Sequence, residues 1–314
     1  MIKKLFFTSC LAFSFVALAQ EQDSVLIKKE LQEVNVNALR ATSLTPISFT
    51  NISKKELEEQ NLGQDLPFLL SFTPSIVTTS DAGAGVGYTG FRVRGSDPTR
   101  VNVTINGIPL NDSESHGVFW VNMPDFSSSI ENIQIQRGVG TSTNGAGAFG
   151  ASLNLVTDRL RSKAYASTSN TVGSYGTLKN NVEFGTGLIN NRFTVDARLS
   201  KIESDGYIDR ATSNLKSFYL SGGYYGDDES LKLTIFSGKE VTYQAWNGVP
   251  LRYLDDDSLR TFNIYEYDNE VDNYAQTHYH FNYTKELKEN EVFNLGLHYT
   301  KGLGYFEQFR NNDN

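Results

Sequence analysis

Ile130–Asp158, IENIQIQRGVGTSTNGAGAFGASLNLVTD, is the stretch on which the reading of the fold turns. Ile133 and Ile135 alternate with Asn132, Gln134 and Gln136, the period of two that marks a half-buried strand. The strand breaks at Arg137-Gly138 into a loop carrying Gly138, Gly140, Gly145, Gly147 and Gly150. A second strand follows from Ser152 to Thr157, with Leu153 and Leu155 on one face. Beyond Asp158 every segment reads as a strand of about ten residues closed by a turn. The stretch therefore ends one domain and opens another of a different kind.

The chain has 314 residues, enough for two domains, and a net charge of −8. That balance argues against a nucleic-acid partner, because phosphate binding needs a basic surface. Residues 1–19 read as a secretory signal: Lys3 and Lys4 form the charged start, Leu5 to Val16 the apolar core, and Ala17-Leu18-Ala19 the cleavage site. The single cysteine, Cys10, lies inside that core, so thiolate metal sites, disulfides and a cysteine nucleophile are not expected in the mature chain. No later run is long and apolar enough for a spanning helix, but a spanning barrel shows only short alternating segments.

Residues 20–39 follow the signal. Leu31-Gln32-Glu33-Val34-Asn35-Val36-Asn37-Ala38 alternates as an extended segment does. It reads either as a short edge strand or as a peptide that pairs with a partner's sheet. Ser53-Lys54-Lys55-Glu56 is a capping box and predicts a helix over Lys54 to Gln60, stopped by Gly63. Asp65-Leu66-Pro67 opens a second short helix with Leu66, Leu69 and Leu70 as its apolar side, ending before Pro74. Gly85, Gly87 and Gly90 have the spacing of a nucleotide loop, which must lead into a helix; the next element here is the strand Phe91–Arg94, so a flexible ligand-facing loop is the better reading. Val101 to Ile105 alternates into Asn106-Gly107, a hairpin signal. Asp112, Ser115 and His116 invite a hydrolase reading, but a triad is assembled from distant positions and neighbours in one loop cannot orient one another. There is no P-loop lysine motif either. The chain is not read as an enzyme, and no cofactor or bound metal is implied.

Five places, in order and spacing, resemble the TonB box and plug domain of TonB-dependent outer-membrane receptors: EVNVNA at 33–38, LPFLLSFTPSI at 66–76, FRVRG at 91–95, VNVTINGIPL at 101–110, and the opening stretch. Asn106 stands where the family usually has Asp. The resemblance implies an α+β plug domain over residues 40–158, followed at 159–314 by the first antiparallel strands of a membrane β-barrel. It implies a receptor in the Gram-negative cell outer membrane that takes up a scarce nutrient, most often an iron–siderophore or other iron chelate. Cobalamin and oligosaccharides are the alternative cargoes. It assigns Leu31–Ala38 as the box pulled by the partner TonB, and Arg94 and Arg137 as the lock between plug and barrel, meeting barrel glutamates. Both arginines are then expected to lack local carboxylate partners. Candidate cargo contacts lie around Asp81 and Tyr88, and around Asp112 and His116.

From Lys163 onward seven strands are predicted, over about 163–172, 176–188, 191–203, 215–226, 229–240, 272–286 and 291–303. Short turns at Asn190-Asn191, 226–228 and 288–290 alternate with long connections at 204–214 and 241–271, the habit of outer-membrane barrels. A cation on the lipid face costs roughly 2–4 kcal/mol near mid-membrane, so Arg192, Asp196 and Arg198 are expected to point inward. Tyr279, Phe281 and Tyr283 should face lipid, and Gln276, His278, His280 and Asn282 the lumen. Seven strands leave open edges that hydrocarbon does not tolerate, which suggests an N-terminal piece of a larger barrel. The rival readings are a passive porin or adhesin, which would lack a plug and its box, and a secreted all-β enzyme.

Overall fold

The computed structural model describes residues 40–140, 147–157, 160–288 and 291–310. The signal segment, Cys10 and Leu31–Ala38 lie outside the described residues.

The N-terminal domain is built on a mixed five-stranded sheet. β6 (Asn132–Arg137) and β7 (Ala151–Val156) pair antiparallel, with Ile133 opposite Leu155 and Ile135 opposite Leu153. β1 (Phe49–Ser53) adds to β6, β4 (Val101–Ile105) runs parallel to β7, and β5 (Ile108–Pro109) closes the order β1-β6-β7-β4-β5. Asn106 and Gly107 between β4 and β5 have φ of 50° and 82°, the positive pair a two-residue primed turn demands.

Helix α1 (Lys54–Gln60) starts at the predicted box: the Ser53 amide donates to Glu56 Oε2 at 2.7 Å, and the Glu56 amide to Ser53 Oγ at 3.4 Å. α2 (Leu66–Leu69) is a single turn that buries Leu66 and Leu69 beside Leu70. β2 (Ile76–Ser80) and β3 (Thr89–Val93) form a hairpin joined by the Gly-rich segment 81–88. A strand follows that segment, as the nucleotide reading could not accommodate.

β6 departs from expectation on one point. Its polar positions are not solvated: Gln134 and Gln136 are as buried as the isoleucines between them. The incoming chain roofs that face. Gln134 Oε1 accepts from the Ala41 amide at 2.7 Å, its Nε2 donates to the Ala41 carbonyl at 2.9 Å, and Gln136 Nε2 donates to Gln134 Oε1. Alternation thus marks two buried faces of different chemistry, a polar buried layer being tolerated because its amides are paired.

The second domain is a single antiparallel wall of seven strands, each paired with its neighbour in sequence. They are β8 (Tyr165–Val172), β9 (Leu178–Gly185), β10 (Phe193–Ser204), β11 (Ser213–Tyr225), β12 (Glu229–Tyr243), β13 (Val271–Lys288) and β14 (Glu291–Phe306). All seven predicted segments form strands. The wall does not close on itself; β8 and β14 are its two edges. Val195, Leu199, Leu233, Leu297 and Tyr299 are exposed on one face, while Lys179, Arg198, Thr234, His278 and His280 are buried on the other. An apolar outside over a polar inside is the pattern of a strand between lipid and lumen.

Of the residues expected inward, Arg198 is buried and Arg192 is exposed. Arg192 lies in the turn before β10, 3.8 Å from Asp227 in the next turn on the same end.

The N-terminal domain sits on the wall's polar face. Tyr219 of β11 and Phe236 of β12 belong to that domain's own core, where the Phe126 ring lies 4.9 Å from Phe236 and 6.4 Å from Tyr219. Tyr219 also donates to Thr157 Oγ1 at 3.0 Å.

Candidate functional site

Two features of this contact bear on function: a buried charge cluster that fastens the domain to the wall, and a cavity beside it.

The cluster centres on Asp125. Pro124 precedes it, and its own φ of 53° turns the chain so that the carboxylate faces the wall. Lys179 Nζ of β9 lies 2.6 Å from Oδ1, and Arg198 Nη1 of β10 lies 3.4 Å from Oδ2. Asn181 Nδ2 and Ser200 Oγ each donate to Oδ2 at 2.7 Å, while Ser128 Oγ and Asn61 Nδ2 donate to Oδ1. All three charged side chains are almost fully out of solvent. Burial alone would raise the Asp125 carboxyl, but Arg198 and Lys179 outweigh it and hold the group well below the usual carboxylate range. Close by, Ser217 Oγ donates to the Pro124 carbonyl at 2.7 Å. At Gly238 the wall has no side chain at all: a Cβ there would come within 2.1 Å of the Asn122 carbonyl oxygen.

This cluster is absent from the sequence reading. Arg198 was expected inward, yet its partner stands 73 residues away. The available signal was the inward row itself, since Lys179 and Arg198 on one buried face require an anion.

The cavity, of about 470 Å³, lies between loop 111–119, Tyr88, and the inner faces of β12, β13 and β14. Tyr88 and Asp112 both line it; Asp81 and His116 do not. Tyr88 Oη donates to Asp272 at 2.5 Å, and its ring meets Trp246 edge-on at 5.6 Å. Burial first, then Glu240 and Asp272, push the Tyr88 hydroxyl far above its ordinary range. Asp112 accepts from the amides of Glu114 and Ser115 and from Ser115 Oγ. The Ser115 amide, then the Glu114 amide, keep its carboxyl low despite some burial. The acid and serine of this loop therefore hold its own turn rather than an acid–base pair. Asp81 sits at the start of loop 81–88, its carboxyl pushed up to about 6 by burial.

His278 and His280 face inward as expected. His278 stacks on Phe236 at 4.5 Å, and its ring nitrogens meet Gln276 and Thr300. Among the described residues no group of three or more His, Cys, Asp or Glu is placed to hold a metal ion. Asp255, Asp256 and Asp257 lie exposed in the long connection between β12 and β13.

Arg94 and Arg137 lie close enough for their charges to interact. Arg137 is 8 % exposed and, among the described residues, meets neutral acceptors: the Pro74 carbonyl, Ser48 Oγ and Thr50 Oγ1. Burial, then the charge of Arg94, lower its pKa. Neither arginine has a carboxylate partner among the described residues.

Residues 41–152 match the TonB-dependent receptor plug domain. A probable TonB-dependent siderophore receptor, PirA of Acinetobacter baumannii, is 23% identical over 174 residues, which cover 51% of this chain and 23% of the relative. The open form of the ferric-catecholate import receptor Fiu of E. coli K12 superposes with a TM-score of 0.67 at 16% identity, covering 82% of this chain and 39% of that one. The ferric citrate transporter FecA in its unliganded form gives 0.66 at 17% identity, covering 83% and 41%. The chain thus spans about two fifths of the length of these solved receptors.

Proposed function

Because this chain carries the plug domain of the TonB-dependent receptors at residues 41–152, set against seven strands of a receptor wall, we propose that it takes part in active uptake of an iron chelate across the outer membrane. The cargo would land in the cavity beside Tyr88 and Asp112. TonB would then pull on Leu31–Ala38 to displace the plug. The relatives named above are receptors or transporters for siderophores, ferric catecholate and ferric citrate, all iron chelates.

One observation carries this reading over that of a passive porin. The wall's polar face is not an open water path: it is filled by a domain whose core includes the wall's own Tyr219 and Phe236 and whose Asp125 is ion-paired to Lys179 and Arg198. A passage closed by a buried charge cluster needs work to open. The chain offers no phosphate loop to draw on ATP, so the work must come from a partner. Arg94 and Arg137, cationic and without local carboxylates, would complete the closure by meeting glutamates of the remaining wall.

Deleting Leu31–Ala38 tests the coupling. Uptake of iron chelate by cells should fall to background while surface binding is kept. Uptake that persists at the wild-type rate would refute an energised mechanism and favour a passive pore.

A further inference from the structure

On the outer-membrane reading of the wall, we propose that its outward face carries a binding row for the phosphate headgroup of an anionic lipid, built by Lys201, Lys216 and Lys239. The three lie directly opposite one another on β10, β11 and β12: Lys201 pairs with Lys216, and Lys216 with Lys239. Alternation puts them on the face that carries Leu199, Phe218 and Leu233, the exposed apolar side of the wall. Side chains directly opposite one another leave adjacent strands about 5 Å apart, and like charges there repel. Three cations in one rung are therefore costly unless an anion lies across them. The wall itself supplies one carboxylate: Glu203, two residues along β10, stands 2.7 Å from Lys201 and also accepts from Asn214. Lys216 and Lys239 are exposed, and their neighbours along the same face are Asn214, Phe218, Ser237 and Val241, none of them charged. The rung is flanked by Asn180 of β9 and Ala275 of β13, also neutral. Each lysine thus has both lateral neighbours in place, and none of the three lies on the edge strands β8 or β14.

The position of the row along the strands points to the kind of anion. On its short-turn side the next outward rung pairs Leu199 with Phe218, and the one after it pairs Leu220 with Ile235. The outward positions of β10 stay uncharged down to Phe193. At about 3.4 Å per residue, Phe193 to Lys201 spans roughly 27 Å along the strand, or roughly 20 Å along the membrane normal at a tilt of about 40°. That is most of an apolar band about 25 Å tall, so the lysines stand at its rim. The rim is the one on the side of the long connections, which in such barrels faces the cell exterior. Lysine stems lie along apolar surface and carry their ammonium groups past its edge, where lipid headgroups lie. A phosphate-bearing lipid matches both parts of this surface, its headgroup on the lysines and its acyl chains on Leu199 and Phe218. A soluble anion matches only the first.

The test is lipid binding to the intact receptor in a neutral detergent, followed by titration of a fluorescently labelled lipid. The probes are an acylated glucosamine disaccharide carrying two phosphates and the same glycolipid with both phosphates removed. The phosphorylated form should bind about 10-fold tighter, and added salt should narrow the gap. Lys216→Gln combined with Lys239→Gln should bring the phosphorylated lipid down to the level of its twin and leave the twin unchanged. Arginine at both positions should keep the difference. Both side chains are exposed, so neither double variant endangers the fold. Millimolar inorganic phosphate, at constant ionic strength, should not displace the lipid; full displacement would overturn a lipid ligand. Equal binding of the two glycolipids by the unaltered receptor, or undiminished binding by the glutamine variant, would overturn the row while leaving the membrane reading intact. A receptor that stays monodisperse without detergent and binds neither glycolipid would overturn the membrane reading, and this inference with it.

Discussion

Replacing Asp125 by Ala removes the one anion that Lys179 and Arg198 share. Contacts of 2.6 and 3.4 Å to a single carboxylate hold the two cations within about 8 Å of each other, where at an effective dielectric of about 20 they repel by roughly 2 kcal/mol. Their desolvation is then unmet. Lys179 keeps Asn61 Oδ1 at 2.8 Å, and Arg198 keeps the Asp125 carbonyl, so part of the loss is recovered locally. Breaking a buried pair by removing one partner costs about 3–5 kcal/mol, and the two effects together place Asp125→Ala in that range. Asp125→Asn should fall at the lower end: it keeps one acceptor but turns an amide toward the donors of Asn181 and Ser200. The assay is plug unfolding in urea in the intact receptor, followed by protease sensitivity of the plug while the barrel stays folded. With a urea m-value of about 1–3 kcal/mol/M, the midpoint for Asp125→Ala should drop by about 1–5 M. A control that replaces Asp125, Lys179 and Arg198 together by apolar residues of similar volume should recover most of the loss. A single Asp125→Ala variant whose midpoint moves no more than that of an exposed-residue control would refute the claim that this cluster anchors the plug.

Two further outcomes follow from the same contact and from the plug interior. Gly238→Ala places a methyl within 2.1 Å of the Asn122 carbonyl oxygen and 2.6 Å of Pro124 Cδ, and should cost the plug about 1–3 kcal/mol of stability by overpacking, read as a lower urea midpoint. Gly222→Ala, with nothing within 4 Å, should leave it unchanged. Asp65 is buried beside Thr89 Oγ1 at 3.0 Å with its carboxyl pushed up to about 8, first by burial. An unfolded aspartate gives up its proton near pH ~4, so between about 4 and 8 the native chain holds a proton the unfolded chain has lost. Plug stability should therefore fall as pH rises through that window, by at most about 1.4 kcal/mol per unit, and level off above it. Asp65→Asn should flatten that slope when urea midpoints are compared at pH 5 and pH 8.

What the sequence conveyed well was whatever a single element decides for itself. The seven wall strands are legible because each carries one apolar and one polar face, the alternation expected of a strand between two media. The α1 box, the Asn106-Gly107 turn and the Ile133/Ile135 strand are legible for the same reason, since their signals lie within a few residues. The buried glutamines of β6 show the limit. Alternation reports that two faces differ, not that one is wet, and only the fold reveals Ala41 over Gln134. Among the candidate residues, Tyr88 and Asp112 meet across one cavity, whereas Asp81 and His116 belong to the same loops but look elsewhere. Loop membership is visible in sequence; which side chain of a loop faces a cavity depends on the wall opposite.

The plug anchor lies between these cases. On the expectation of a lipid-facing wall Arg198 of β10 points inward, and the alternation of β9 turns Lys179 to the same face. Two inward cations buried on neighbouring strands require a carboxylate, and a wall filled by a plug can receive it only from the plug. Sequence logic thus reaches the existence of an anchor. It does not reach Asp125, because Asn122-Met123-Pro124-Asp125 has neither helical nor strand period and reads as an ordinary turn. The positive φ at Asp125 is a torsion that aspartate tolerates better than most residues, and here it aims the carboxylate at the wall instead of at its own backbone. A residue selected for a turn and one selected for an ion pair look alike in sequence. They differ in what lies across the interface, which is why the side that carries the cations was readable and the side that carries the anion was not.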